Sequence, residues 1–351
     1  MAEPTDHSSF PLSVLDLAPV GRGSTPAEAL RNSIELVQEV ERLGYRRHWV
    51  AEHHNMPGIA SSSPPVLLAH LASVTSTIRL GSGGVMLPNH AALAVAEQFG
   101  MLEALHPGRI DLGIGRAPGT DPVTAAALRR GPGAVGADDF PEQLTELLGY
   151  FSGSLPDGHP YGHINAVPAR GYRPAIWMLG SSTYGAQAAA VLGMPYSFAY
   201  HFAPAMLDDA LTVYRRAFRP SPELEHPYLM LGVSVVCGES DEHARWLAAP
   251  GALAFLRLRS GRPDVYPTPE EAADYRFTPF ERQQVEQWTS SHVIGDPVTV
   301  RRQLEQLVER TGVDELMVTT MVHSHAERVE SYRRLASVMR VDPVGATSRP
   351  E

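Results

Sequence analysis

The strongest constraint on this chain is an alternation. Short apolar runs at residues 10–20, 46–53, 78–87, 110–115, 175–179, 196–202, 229–236 and 315–322 are separated, for the most part, by segments with apolar residues at helical spacing. Strands divided by helices cannot pair through tight hairpins, so they pair in parallel through right-handed crossovers. Eight such strands close most simply into a (β/α)8 TIM barrel, and with no clear boundary in the sequence, residues 1–351 are expected to form one α/β domain. A doubly wound open sheet shares the alternation, but the first βα turn lacks the GxGxxG that such sheets use for dinucleotides. Residues 117–139 are rich in Gly, Pro and Ala and too long for an ordinary βα connection, so they read as a functional loop or lid. Residues 259–291 carry Pro263, Pro267, Pro269 and Pro279 and read as irregular.

Residues 78–116 show the pattern in miniature. A strand with Gly81, Ser82, Gly83 and Gly84 leads to a helix over 91–105, with Leu93, Ala96, Phe99, Met101, Leu102 and Leu105 as its inner stripe. His106, Pro107 and Gly108 stop it, and Ile110, Leu112 and Ile114 then alternate with small or polar residues up to Arg116. Glycine weakens a strand, so the Gly-rich run marks either a bulge or a close approach by a ligand. Earlier in the chain, Thr25-Pro26 with Glu28 reads as a capping box opening a helix that runs to about Leu43.

Composition removes several chemistries. All 29 basic residues are Arg and none is Lys, which excludes Schiff-base catalysis, an internal aldimine of pyridoxal phosphate and a Lys-dependent phosphate loop. A formal charge of −10 argues against a general nucleic-acid surface. No 18-residue apolar run suggests a membrane span, and residues 1–12 lack the pattern of a secretory signal. With Cys237 as the one cysteine, no internal disulfide forms, and a cytoplasmic location is expected.

Three features fall at predicted strand ends, the face where barrel enzymes keep their chemistry. Glu52, His53 and His54 offer a general base, an orienting carboxylate or metal ligands, or else are structural residues of the rim. Arg116 suits a phosphate, a carbonyl or a ring nitrogen, or pairs with Asp111 or Asp121. Gly180, Ser181, Ser182 and Thr183 lead into a helix, which suits a phosphate but equally suits an ordinary N-cap. His201, His323 and His325 raise a metal reading, against which stands the lack of an HxH on the first strand and of a bridging Lys; no metal is expected. Cys237 reads as a core residue.

The segments AEHHN (51–55), RLGSGGVMLPNH (79–90), HPGRIDLGIGRAPGTD (106–121), LGSSTYGAQAAAVLGMPYSFAYHF (179–202), IGDP (294–297) and DELMV (314–318) occur in the order found in one family. Through them the chain resembles the bacterial-luciferase-like flavin-dependent monooxygenases, in particular the single-chain, luciferase alpha-like oxidoreductases. The resemblance implies a (β/α)8 barrel with a late insertion, here at about 247–291. It also implies FMN delivered reduced by a separate flavin reductase, reaction with O2, oxygenation of a small-molecule substrate, and a homodimer. By position, Gly83 and Gly84 match the family's non-proline cis peptide against the flavin ring, Arg116 its flavin-site arginine, and Ser181 and Ser182 its phosphate turn. Glu52 matches an acidic residue near the flavin, and His53 the histidine proposed as a base. Gly115 and Ser181 stand where luciferases carry a reactive cysteine and a glutamate, so neither light emission nor a substrate carries over. The alternatives are hydride transfer with the deazaflavin F420, a flavin-holding barrel without catalysis, and a metal-dependent hydrolase.

Overall fold

The computed structural model describes residues 10–129 and 139–339. Eight parallel strands close into a barrel. They are β1 (Leu12–Asp16), β2 (Arg47–Val50), β3 (Arg79–Met86), β4 (Ile110–Gly115), β5 (Ala175–Gly180), β6 (Tyr196–Phe198), β7 (Leu229–Cys237) and β9 (Glu315–Thr319). The order is β6-β5-β4-β3-β2-β1-β9-β7, and pairing of β6 with β7 completes the circle. Representative registers are Val14 opposite His48, Trp49 opposite Gly81 and Leu112 opposite Ile176. These are the eight strands expected from the alternation. A ninth, β8 (Val293–Gly295), escaped it: three residues carry no readable period, and they pair with the end of β7 beside the barrel.

The helices that cover the barrel include α1 (Pro26–Arg42), α2 (Pro64–Ser73), α3 (Ala92–Leu105), α4 (Pro122–Arg129), α5 (Phe140–Ser152), α6 (Thr183–Val191) and α7 (Leu207–Ala217). After β7 come α8 (Asp241–Arg259), α9 (Pro269–Asp274) and α10 (Pro279–Thr289); α11 (Pro297–Thr311) then leads to β9, and α12 (His325–Met339) ends the fold. The capping box of α1 is present, with Thr25 accepting from the Glu28 N–H and Glu28 from the Thr25 N–H. Two expectations fail. Residues 259–291 are irregular only in part, because Pro269 and Pro279 each follow a capping Thr and occupy N1, where proline starts a helix rather than breaking one, while Pro263 and Pro267 lie in the irregular stretch. In α3, Met101 and Leu105 lie outside: Val95, Ala96, Phe99 and Leu102 form the buried stripe, while Met101 and Leu105 are 54% and 67% exposed. Of the loop expected over 117–139, residues 122–129 are helical and 130–138 lie outside the described residues.

One layer of core lies between barrel and helices, and a second fills the barrel, where Leu15, Trp49, Trp177, Met230 and Met317 pack together. The indoles of Trp49 and Trp177 meet edge to face with centroids 5.3 Å apart. This crowding explains part of the glycine run. A Cβ on Gly81 would lie 2.6 Å from the Trp49 ring, one on Gly83 2.6 Å from Leu15 Cδ1, and one on Gly84 2.7 Å from the Gly113 carbonyl. The β3–β4 register also shifts between Ser82 and Val85, so the bulge is real, and the Gly83–Gly84 peptide is cis.

The N-terminal end of the barrel is sealed by charge. Arg47 is 2.9 Å from Asp111 and 2.7 Å from Glu315, all three buried, and its guanidinium stacks 4.7 Å from Trp177. Trp49 Nε1 donates to Asp111 at 2.9 Å, Arg79 pairs with the same carboxylate, and Tyr228 donates to Glu315 at 2.8 Å. A floor so closed leaves the C-terminal end as the place for chemistry.

Candidate active site at the C-terminal mouth

Strands β2, β3, β4 and β5 are neighbours in the barrel, so the ends that carry Glu52, Gly83 and Gly84, Arg116, and Ser181 and Ser182 lie side by side at one mouth. Glu52 is fully buried two residues past β2. Its Oε1 is 2.9 Å from His54 Nε2 and 2.8 Å from His90 Nε2, and its Oε2 accepts from the Met86 N–H at 3.0 Å. Burial pushes the carboxyl up, but these hydrogen bonds and the field of His90 more than offset it, so the carboxyl is held below its usual range. With both oxygens engaged, Glu52 ties the β2 loop to the end of β3 and to the start of α3. Sequence alone does not pair His54 or His90 with Glu52; the available signal is that His90 closes the family segment 79–90.

His53 points elsewhere. Its backbone N–H donates to the Ser61 carbonyl at 3.1 Å, and its Nδ1 is buried without a hydrogen-bond partner. Burial disfavours the imidazolium, and His54 and His201 add to this against the pull of Glu52, lowering its pKa to about 4. At neutral pH the ring is therefore an unprotonated imidazole. His201 follows β6, which lies diametrically opposite β2 in the barrel order. Its Nδ1 lies 2.9 Å from the Gly232 carbonyl, an acceptor, so Nδ1 carries the proton and Nε2 keeps its lone pair. His292, from the segment between β7 and α11, sits edge-on to Trp288 at 4.3 Å and is likewise lowered to about 4 by burial and by His201. No sequence pattern singles out Trp288 or His292. His323 meets the Arg22 carbonyl at 2.9 Å and His325 lies 3.3 Å from Glu35, away from this group. Among the described residues no group of three or more His, Cys, Asp or Glu is arranged to hold a metal ion. Cys237 is buried, as expected of a core residue.

Arg116 is exposed, with its guanidinium carbon 4.0 Å from the centre of the Tyr184 ring, in the first turn of α6. Neither alternative partner holds it. Asp111 belongs to the barrel floor, and Asp121 accepts from Asn55 at 3.0 Å and from the Val123 and Thr124 N–H groups. Among the described residues Arg116 makes no ion pair. Ser182 is the N-cap of α6 in extended conformation, and its hydroxyl makes no capping bond. A helix start normally has its free N–H groups satisfied by such a side chain. At α6, as at α2, α3 and α7, the cap residue supplies no such acceptor; what sets α6 apart is the cation stacked on its first turn.

The family model for luciferase-like monooxygenases matches residues 10–315. A luciferase-like monooxygenase of Escherichia coli (strain K12) is 45% identical over 91% of this chain and 94% of its own length. The N-acetyl-S-alkylcysteine monooxygenase of Bacillus subtilis is 34% identical over 93% and 98%. The crystal structure of apo-MsnO8 superposes with a TM-score of 0.87 at 39% identity, covering 95% of this chain and 99% of the other. A diketocamphane monooxygenase component from Pseudomonas putida solved with FMN (17% identity, TM-score 0.69) and an F420-dependent secondary alcohol dehydrogenase (14%, 0.69) share the fold. By a match of this extent, and by sequence relatives that span almost their whole length, the chain belongs to the luciferase-like monooxygenase family.

Proposed function

We propose that this protein binds reduced FMN, supplied by a separate reductase, and uses it with O2 to oxygenate a small organic substrate. The observation that carries the reading is an α6 start whose N-cap hydroxyl makes no capping bond, next to Arg116, which makes no ion pair among the described residues. Ser181, Ser182 and the first N–H groups of α6 would take the phosphate, with Arg116 supplying the charge. The half-buried backbone of Gly83, with Gly84, would lie against the flat ring at the end of β3. Bound reduced flavin supplies the electrons that activate O2. Glu52 orients His54 and His90 and fixes the end of β3 through Met86. His53, unprotonated at neutral pH, accepts a proton at the mouth as a general base.

The second reading, F420 in place of FMN, is favoured by the shared fold of an F420-dependent dehydrogenase. A barrel that holds flavin without catalysis is the third. Anaerobic titration separates them: reduced FMN should bind with micromolar or better affinity and F420 should not. Admitting 18O2 with a panel of thioethers, starting with N-acetyl-S-alkylcysteines because a relative carries that activity, should then label a product. Tight F420 binding with none for FMN would transfer the protein to the second reading, and binding without labelled product from any substrate class to the third. As a homodimer, the protein would bury Val66 on α2 and Met101 and Leu105 on α3, three large apolar side chains that are 72%, 54% and 67% exposed. A cytoplasmic location is part of the same proposal; among the described residues no helix is long and apolar enough to cross a membrane.

A further inference from the structure

The loops that leave β1 and β2 are stitched together at the mouth. The Val20 N–H donates to the Gly58 carbonyl at 2.9 Å and the Ala60 N–H to the Ala18 carbonyl at 3.0 Å, and Pro19 bridges Ile59 antiparallel. One end of this ladder is His53, whose backbone N–H bonds to Ser61, while Ser61 Oγ donates to the Ala51 carbonyl. At the same end lies Ala18, whose partner Ala60 directly precedes Ser61, and its φ is +47°. That is the left-handed region, where the Cβ of an alanine crowds the backbone. Asp16 fastens it: Oδ1 accepts from the Ala18 N–H at 2.6 Å, an Asx-type turn, and the same oxygen accepts from Arg328 Nη2 on α12. Asp16, Ala18 and Arg328 are buried.

Around the pair are His48, whose Nε2 is 3.6 Å from Asp16 Oδ2, and Ser33 on α1, with His325 and Glu35 beyond Arg328. A buried ion pair is seldom worth more to stability than well-packed apolar residues. Its particular consequence here is the shape of the loop.

We infer that the Asp16–Arg328 pair is a positioning device for His53: it clamps Ala18 in its left-handed turn, sets the register of the ladder and so fixes His53 at the mouth. The functional meaning rests on the base proposed above; the geometry does not. The test needs no cofactor or substrate, so it is read independently of the flavin titration. In protein labelled with 13C at histidine Cε1, the His53 resonance is assigned by its loss in His53→Gln. In Asp16→Asn, which keeps the shape and an acceptor for the Ala18 N–H but gives up the ion pair that holds that acceptor in place, the His53 resonance should shift and its titration midpoint should rise from about 4 toward 6.5. The resonances of His159 and His226 should stay in place. Asp16→Asn combined with Ala18→Gly should restore at least half of the shift, because glycine adopts φ +47° unaided. In the same double variant the relief of the left-handed strain at residue 18 offsets the loss of a buried methyl, so its melting temperature should stay near that of Asp16→Asn while the His53 signal returns. A merely structural role moves both readouts together. An unchanged His53 signal in folded Asp16→Asn, or no restoration by Ala18→Gly, overturns the inference. Should Asp16→Asn not fold, amide exchange in the unaltered protein decides: Ala18, Ala60 and His53 are expected to open with one shared rate, and three separate rates overturn it.

Discussion

Replacing His53 with Gln should flatten the acid limb of the protein's stability curve. In the fold the ring stays unprotonated down to about pH 4, whereas in the unfolded chain it takes up its proton near 6.5. Between these values the unfolded state binds more protons, so the contribution is complete above pH 6.5 and is lost as pH falls toward 4. At pH 5 the loss is RT ln of about 30, or roughly 2 kcal/mol relative to pH 8. A chain of 351 residues has an unfolding entropy near 0.7 kcal/mol per kelvin at about 2.1 cal/mol/K per residue, so this is a shift of about 3 °C. The assay is thermal unfolding of both proteins at pH 8 and pH 5 at fixed ionic strength. His292, lowered to a similar value, contributes equally to both proteins and cancels in the comparison. The expected result is a pH 8-to-5 decrease about 3 °C smaller in His53→Gln. Equal decreases in the two proteins would show that His53 is solvated and charged at pH 5, and the case for an imidazole base held in a dry mouth would be lost.

Three further outcomes are expected. Arg116→Ala, and separately the Ser181→Ala/Ser182→Ala double variant, should each weaken reduced-FMN binding by roughly tenfold or more, from the loss of charge-assisted hydrogen bonds of about 1.5–3 kcal/mol; unchanged affinity in both, measured by fluorescence titration, removes the anion site. Arg47→Met should leave the Asp111 and Glu315 carboxylates underpaired in the barrel floor and cost about 3–5 kcal/mol, seen as a melting temperature lower by several degrees without a change in reduced-FMN affinity. Met101→Glu with Leu105→Glu should convert the proposed homodimer to a monomer in sedimentation while leaving the melting temperature of the monomer within about a degree or two, since both side chains are exposed in the single chain.

The barrel strands were legible because each announces itself locally. Ile110, Leu112 and Ile114 alternate, helices intervene, and parallel pairing follows from the crossovers. What failed locally failed for identifiable reasons. Four prolines make 259–291 look irregular although Pro269 and Pro279 each follow a capping Thr, and α3 is apolar nearly all round, so its period does not tell the buried Val95 from the exposed Met101.

At the site, residue type and position at a strand end pointed to Glu52, His53, Arg116 and the Ser181–Ser182 turn, and the order of the motifs pointed to the family. Partnership was not legible. Two histidines follow Glu52, and only the folded chain turns His54 toward it and brings His90 to the same oxygen. Arg116 had two plausible acidic partners in sequence, Asp111 and Asp121; barrel closure gives one to Arg47 and Arg79 and leaves the other capping α4, so Arg116 stacks on Tyr184 instead. Asp16 and Arg328 are 312 residues apart and meet because β1 and α12 are the first strand and last helix of a closed ring. Periods of 2 and 3.6, helix caps and the missing Lys act within a few residues or on the whole composition, so the sequence alone determined them. Which buried charge faces which, and which imidazole stays neutral, depends on desolvation and on groups brought together by closing the barrel, and so was decided only by the tertiary structure.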